Sequence, residues 1–246
     1  MAQIRHLERA PIAEAVIDLR VQPNEGVSVD SFSPIAERLK DRYPVVKPVE
    51  SLAATFGVQE GRPMPPEAVV SRVGIFLKTS DEQNVAQFRT DGFTFSRLPQ
   101  YTSWDEVFPE AMRLWREYEN VAKPLRVTRL AVRYINRLPL TLPVELTDYL
   151  TAPPAVPPPL PETVRGYLTR LLLFDVESGN SVIVTQALER SVDPDHLSVL
   201  LDIDAYRDVD IEVKDPRIES ILGTLRHLKN NVFFGSITEK TARIFE

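Results

Sequence analysis

Residues 129–140 read RLAVRYINRLPL. In an extended chain side chains alternate, so Arg129, Arg133 and Arg137 share one face with Ala131 and Ile135. Leu130, Val132, Tyr134 and Leu138 share the other face. A strand apolar on one side and charged on the other belongs in a sheet covered on one side only. The arginine row has three readings at this point. It pairs with the acids of neighbouring strands, it holds an anionic ligand, or it receives a partner's carboxylates.

The rest of the chain supplies neighbours for such a strand. IAEAVIDLRVQP (12–23) alternates as a second strand, with Ile17, Leu19 and Val21 inward and Glu14, Asp18 and Arg20 outward. VDSFSPIAERLKDRYP (29–44) reads as a helix with Ser33 as N-cap, Pro34 in the first helical position, and Phe32, Ile35, Leu39 and Tyr43 as its apolar stripe. SLAATFGVQ and SRVGIFLKTS are strands around the loop GRPMPPE. VAQFRTDGFTFSRL reads as a hairpin with Asp91-Gly92 as a tight primed turn, which needs positive φ. SWDEVFPEAMRLWREYENVAK (103–123) is a long amphipathic helix with a Ser103/Glu106 capping box, and Pro109 marks its start or a kink.

Beyond the arginine strand, VELTDYL (144–150) reads as a short helix. TAPPAVPPPLPE (151–162) reads as a stiff polyproline spacer, with the composition of an SH3-type ligand as its sharper reading. YLTRLLLFDVES and NSVIVTQALERS form a hairpin around Gly179-Asn180, and HLSVLLDIDAYRDV is a further strand. In DPRIESILGTLRHLKNNVFF, Asp215 suits an N-cap and Pro216 the first helical position. Ile218, Ile221, Leu222, Leu225, Leu228 and Val232 form that helix's stripe. Its end, KNNVFF, either carries the apolar side on through Phe233 and Phe234 or stops at a left-handed Asn230 or Asn231. SITEKTARIF reads as a last short helix with Ser236 and Glu239 as a capping box.

The order strand, helix, strands, long helix thus occurs in 12–123 and again in 125–230. The expected fold is α+β: two pseudo-repeated halves, 1–123 and 124–246, in one continuous globular unit, with an antiparallel sheet and long helices packed on one face.

Composition narrows function. The chain has 246 residues, 43% of them hydrophobic, enough for a sizeable core. A formal charge of -6 and a pI near 5.3 argue against gripping nucleic-acid phosphates as the main task. With no cysteine, thiolate metal sites, disulfides and cysteine nucleophiles are out, and a cytoplasmic location fits. Only 9 glycines occur, and GxGxxG, GxxxxGK[ST] and GxSxG are all missing, which counts against phosphate-cradling loops and α/β-hydrolase chemistry. No signal-type or membrane-spanning run is present, so no membrane partner and no cofactor are expected.

Five spaced stretches, API-x-EA at 10–15, GFTFSRLPQYTSW at 92–104, VRYINR at 132–137, LDIDAY at 201–206 and LRHLKNNVFFGSIT at 225–238, make the chain resemble an uncharacterised prokaryotic family. That family is sporadically distributed among bacteria and archaea in chains of about this size, with no established activity. The resemblance implies a single full-length unit in a prokaryote and carries over no catalytic residue.

His6, His196 and His227 are not at metal-ligand spacing. The sharper chemical candidate is acidic: Asp202 and Asp204 on one strand face, then Glu212 and Lys214, resemble the Asp…Glu-x-Lys metal site of restriction-type nucleases. That reading requires the carboxylates to converge on a metal with Lys214 beside them, and fails if Asp202 and Asp204 pair with Arg133 or Arg137. The expected function is non-enzymatic: a module binding a protein partner or anionic ligand through Arg129, Arg133 and Arg137, aided by Tyr134 or Tyr206. Its expected oligomeric state is a homodimer. The metal-dependent nuclease is the alternative.

Overall fold

The computed structural model describes the chain apart from residues 56–57, 60–61, 64–66, 160–163 and 191–194; side chains are also left aside at 53–55, 58–59, 62–63, 67–68 and 190. The strands are β1 (Ile12–Gln22), β2 (Val45–Thr55), β3 (Val58–Gln59), β4 (Arg62–Pro63), β5 (Glu67–Lys78), β6 (Asn84–Arg89), β7 (Gly92–Arg97), β8 (Arg126–Thr141), β9 (Leu168–Asp175), β10 (Asn180–Arg190) and β11 (His196–Ile211). The helices are α1 (Ser33–Leu39), α2 (Trp104–Ala122), α3 (Leu146–Tyr149), α4 (Arg217–Ser236) and α5 (Glu239–Ile244), with a 3₁₀ turn at Val29–Phe32 before α1. Parts of GRPMPPE and the end of the proline-rich stretch lie outside the described residues.

Nine strands form one antiparallel sheet in the order β2-β5-β6-β7-β1-β8-β11-β10-β9. The β1–β8 pair runs down its middle and sets Ile17 opposite Val132 and Leu19 opposite Leu130. These residues are buried, as the alternation requires. On the same face, Trp115 and Tyr118 of α2 lie against Phe93 of β7, at 6.2 Å and 6.3 Å between ring centres. Phe32 and Phe88 complete that fully buried cluster. Burying each such ring contributes roughly 1.5–3 kcal/mol.

Several local features differ from the sequence reading. The helix over 29–44 is a 3₁₀ turn followed by the short α1, and Ser28, not Ser33, stands at the N-cap of the turn. α2 begins at Trp104, upstream of Pro109, because the Ser103 hydroxyl accepts a hydrogen bond from Glu106 N at 3.3 Å. The Glu106 carboxylate takes its bond from the Thr102 hydroxyl. Lys123 closes α2 in the left-handed region, with φ 43°. α4 continues through KNNVFF to Ser236, so no asparagine caps it, and Phe233 and Phe234 join the core. α4 begins at Arg217 with Pro216 rather than Asp215 at its N-cap; the Asp215 carboxylate accepts from the Arg217 guanidinium at 2.6 Å and from Arg217 N at 2.8 Å, which lower its pKa to about 2. The last helix is capped by Thr238 rather than Ser236, since the Thr238 hydroxyl accepts from Thr241 N. Glu239 instead receives Arg5 of the N-terminal segment.

Asp91-Gly92 is a larger correction. The turn residues are Thr90 and Asp91, and Gly92, the first residue of β7, already pairs with Arg89 of β6 and with Arg20 of β1. Among the described glycines only Gly179 has positive φ. Gly92 is needed for close approach instead: a Cβ there would lie 2.5 Å from the Leu19 carbonyl oxygen.

Candidate functional site

The sheet face bearing the arginine row is a ladder of ion pairs. Arg133 donates twice to Asp202, at 2.8 Å and 2.6 Å. Arg129 reaches Asp204 at 2.9 Å and Asp18 at 3.3 Å, and stacks over the Tyr206 ring at 4.5 Å. Arg137 pairs with Glu189 at 3.0 Å. Asp18 also accepts from the Thr94 hydroxyl at 2.6 Å and from Arg20 at 3.0 Å. Burial raises the pKa of Asp18 and Asp204, against the opposing pull of Arg129. Each arginine is therefore already neutralised by its own sheet. Tyr134 points the other way, opposite Ala15 on the buried face.

The same pairs answer the nuclease reading. Asp202 and Asp204 are engaged by Arg133 and Arg129, while Glu212 and Lys214 lie beyond the end of β11 in the turn before α4. Among the described residues no group of three or more His, Asp or Glu side chains is placed to hold a metal ion. His6 borders the cavity described next, and His227 is exposed on α4.

The ladder makes a stability prediction. Arg133→Ala leaves Asp202, whose side chain is only 15% exposed, without its counter-ion. Urea denaturation should show a loss of about 1 kcal/mol, discounted for the half-exposed guanidinium. Arg137→Ala, at the more open Glu189 pair, should stay within about 0.5 kcal/mol of wild type.

A second site lies on the buried side of β8. Arg226, Lys229, Asn230 and Phe233 recur at helical spacing along one face of α4. They border a cavity of about 380 Å³ with Tyr134 and Asn136 of β8, Tyr101 and Trp104 at the start of α2, and the N-terminal segment around Ile4–Ile12. Lys229 is 7% exposed, and its ammonium lies 3.6 Å from the centre of the Tyr134 ring. No described residue accepts a hydrogen bond from it or forms an ion pair with it. Burial, with the neighbouring Arg226 charge, lowers its pKa from 10.5 to about 7. Arg226 stacks over Trp104 at 5.4 Å and likewise has no carboxylate partner among the described residues. The Tyr134 and Tyr101 hydroxyls bond to each other at 2.8 Å, and burial raises the pKa of both. Asn136 Nδ2 is spent on the carbonyls of Tyr134 and Leu201 and fixes the cavity wall.

Neither Lys229 nor the cavity was singled out from sequence. A signal was present: Lys229 stands four residues after Leu225 and four before Phe233, inside the apolar stripe of α4. Four of the five sequence stretches singled out above meet here. They supply Ala10–Ile12, Tyr101–Trp104, Tyr134 with Asn136, and Arg226–Phe234.

Fold and site together define an α+β protein with a nine-stranded antiparallel sheet and a cation-lined cavity beside its central strand. No known family model and no curated protein matches the chain. Among the described residues no helix is long and apolar enough to cross a membrane.

Proposed function

We propose that this protein is a non-enzymatic binding module that holds a small organic anion in the cavity beneath Lys229. The observation that carries the reading is a buried ammonium at the wall of a cavity with no counter-ion among the described residues. A charge so placed is costly unless something supplies the missing partner. Arg226 adds a second cation, while Trp104, Tyr134 and Phe233 offer apolar surface. This combination suits an acid with an aromatic or aliphatic body, in a volume typical of small-ligand sites. The arginine row, in this reading, stays with the acids beside it.

In the same reading the chain is a pseudo-duplicated unit whose two long helices cover one face of the sheet. Support comes from the element order, in which each half runs from a central strand through a meander to a long helix. The five sequence stretches support membership of the prokaryotic family they resemble, and the cysteine-free composition supports a cytoplasmic location.

Benzoate and an anilinonaphthalene sulfonate dye are suitable probes, because Trp104, one of two tryptophans, borders the cavity. Saturable change in tryptophan emission, with a raised melting temperature, is the expected result. Lys229→Met should weaken binding at least about tenfold, a loss of about 1.4 kcal/mol, while Arg133→Ala leaves it unchanged. No saturable response to either probe up to about 10 mM, where even weak sites fill, would overturn the assignment. Equal binding by Lys229→Met would do the same.

A further inference from the structure

The two edges of the sheet are built differently. β2, at one end, carries Lys47, Pro48 and Glu50 and shifts register between Val49 and Glu50. Lysine, proline and a bulge are the devices that keep an edge from pairing. β9, at the other end, has no lysine, no proline and an unbroken register against β10. Its sequence, LTRLLLFD, presents apolar side chains on both faces. Leu168, Leu171, Leu172, Leu173, Phe174 and the following Val176 are 48% to 82% exposed.

Among the described residues, β9 pairs with β10 alone and nothing pairs with the backbone of its outer edge. Leu188 N donates to the Tyr167 carbonyl at 3.1 Å, so the odd-numbered residues of β9 turn their hydrogen-bonding groups toward β10. Those of Leu168, Arg170, Leu172 and Phe174 then point away from the sheet.

We propose that β9 is a dimerisation edge, occupied by β9 of a second copy of this chain in antiparallel register about Leu172. The segment is self-complementary in that register. Leu172 meets its own twofold mate, Leu171 meets Leu173, Arg170 lies beside Phe174, and Thr169 beside Asp175. No two like charges oppose each other. A guanidinium beside an aromatic ring is favourable. The pairing would cover on the order of 500 Å² on each copy, about 1,000 Å² in all, the size at which specific interfaces begin. It would join two nine-stranded sheets into one with a protected β2 edge at each end. A closed twofold is the commonest solution for a self-complementary edge.

The test uses the intact chain. Sedimentation should give a mass near twice the 27.9 kDa chain mass at micromolar concentration. Leu172→Lys sets ammonium against ammonium across the axis and should give a monomer that stays folded, with the wild-type circular dichroism spectrum, since Leu172 is 64% exposed; its melting temperature should lose the concentration dependence of the dimer. Because the protein has no cysteine, Leu172→Cys adds a single thiol. A short thiol-to-thiol cross-linker should then join two chains, and Leu52→Cys at the other edge should not be joined. A wild-type protein monomeric throughout the concentration range overturns the proposal. So does a dimer that survives Leu172→Lys, which would place the interface elsewhere.

Discussion

Lys229→Met should stabilise the protein by about 3–5 kcal/mol below pH 7 and by almost nothing above about pH 10.5. The amine keeps its ordinary pKa of 10.5 in the unfolded chain and falls to about 7 in the fold. Below pH 7 both states carry the proton, and the fold bears the full cost of an unpaired buried ammonium. Between pH 7 and 10.5 the unfolded state binds more protons, so wild-type stability rises with pH across that window. Above 10.5 both states are neutral and the penalty is gone. At about 1.4 kcal/mol for each tenfold change in proton affinity, the whole effect comes to roughly 4–5 kcal/mol. Methionine has similar length, carries no charge and adapts to irregular cavities, so it should show nearly all of this as a gain. Denaturation of both proteins at pH 6, 8 and 10 provides the measurement. A gain independent of pH would mean that the ammonium is not the source of the cost. Saturating benzoate should flatten the wild-type pH dependence, because a bound anion keeps the proton on the amine. A residue that costs this much stability and lies in a cavity fits a functional role better than a structural one.

Gly92→Val should destabilise the protein by about 3 kcal/mol or more, the upper range for overpacking. Its Cβ would lie 2.5 Å from the Leu19 carbonyl oxygen and 3.2 Å from the Arg20 Cα, both backbone atoms of β1. Backbone can give way only by moving the strand, and β1 is bonded to β7 on one side and β8 on the other. Gly92→Asn separates the two roles of the glycine. Asparagine tolerates positive φ and would suit a primed turn, but it clashes in the strand as valine does. Comparable losses for both variants in urea are therefore expected. A mild asparagine variant would restore the turn reading.

The boundary between what residues reveal alone and what contacts decide can be drawn at particular positions. The faces of β8 were legible because alternation is local: Leu130, Val132, Tyr134 and Leu138 are buried, and Arg129, Arg133 and Arg137 lie on the opposite side. The long helices and the β9–β10 hairpin were legible for the same reason, since their periodicity and turn residues lie within one segment. Asp91-Gly92 was misread because a glycine required by a neighbouring strand looks in sequence like a glycine required by a turn. The partners of the arginines were open until register set β11 beside β8, with Asp204 opposite Arg133, and the side chains paired diagonally, Asp202 with Arg133 and Asp204 with Arg129. The cavity was invisible, because its walls come from segments near residues 10, 101, 134 and 229.

Sequence by itself determined the α+β class, the two-faced central strand and the absence of cysteine chemistry, because each follows from residue type or from spacing within a few turns of chain. Tertiary structure alone decided that β1 and β8 meet at the centre of the sheet, that the arginine row is neutralised, and that Lys229 has no counter-ion among the described residues. These depend on which distant segments share a surface. The free energy of a charge is set by what surrounds it rather than by its neighbours in the chain.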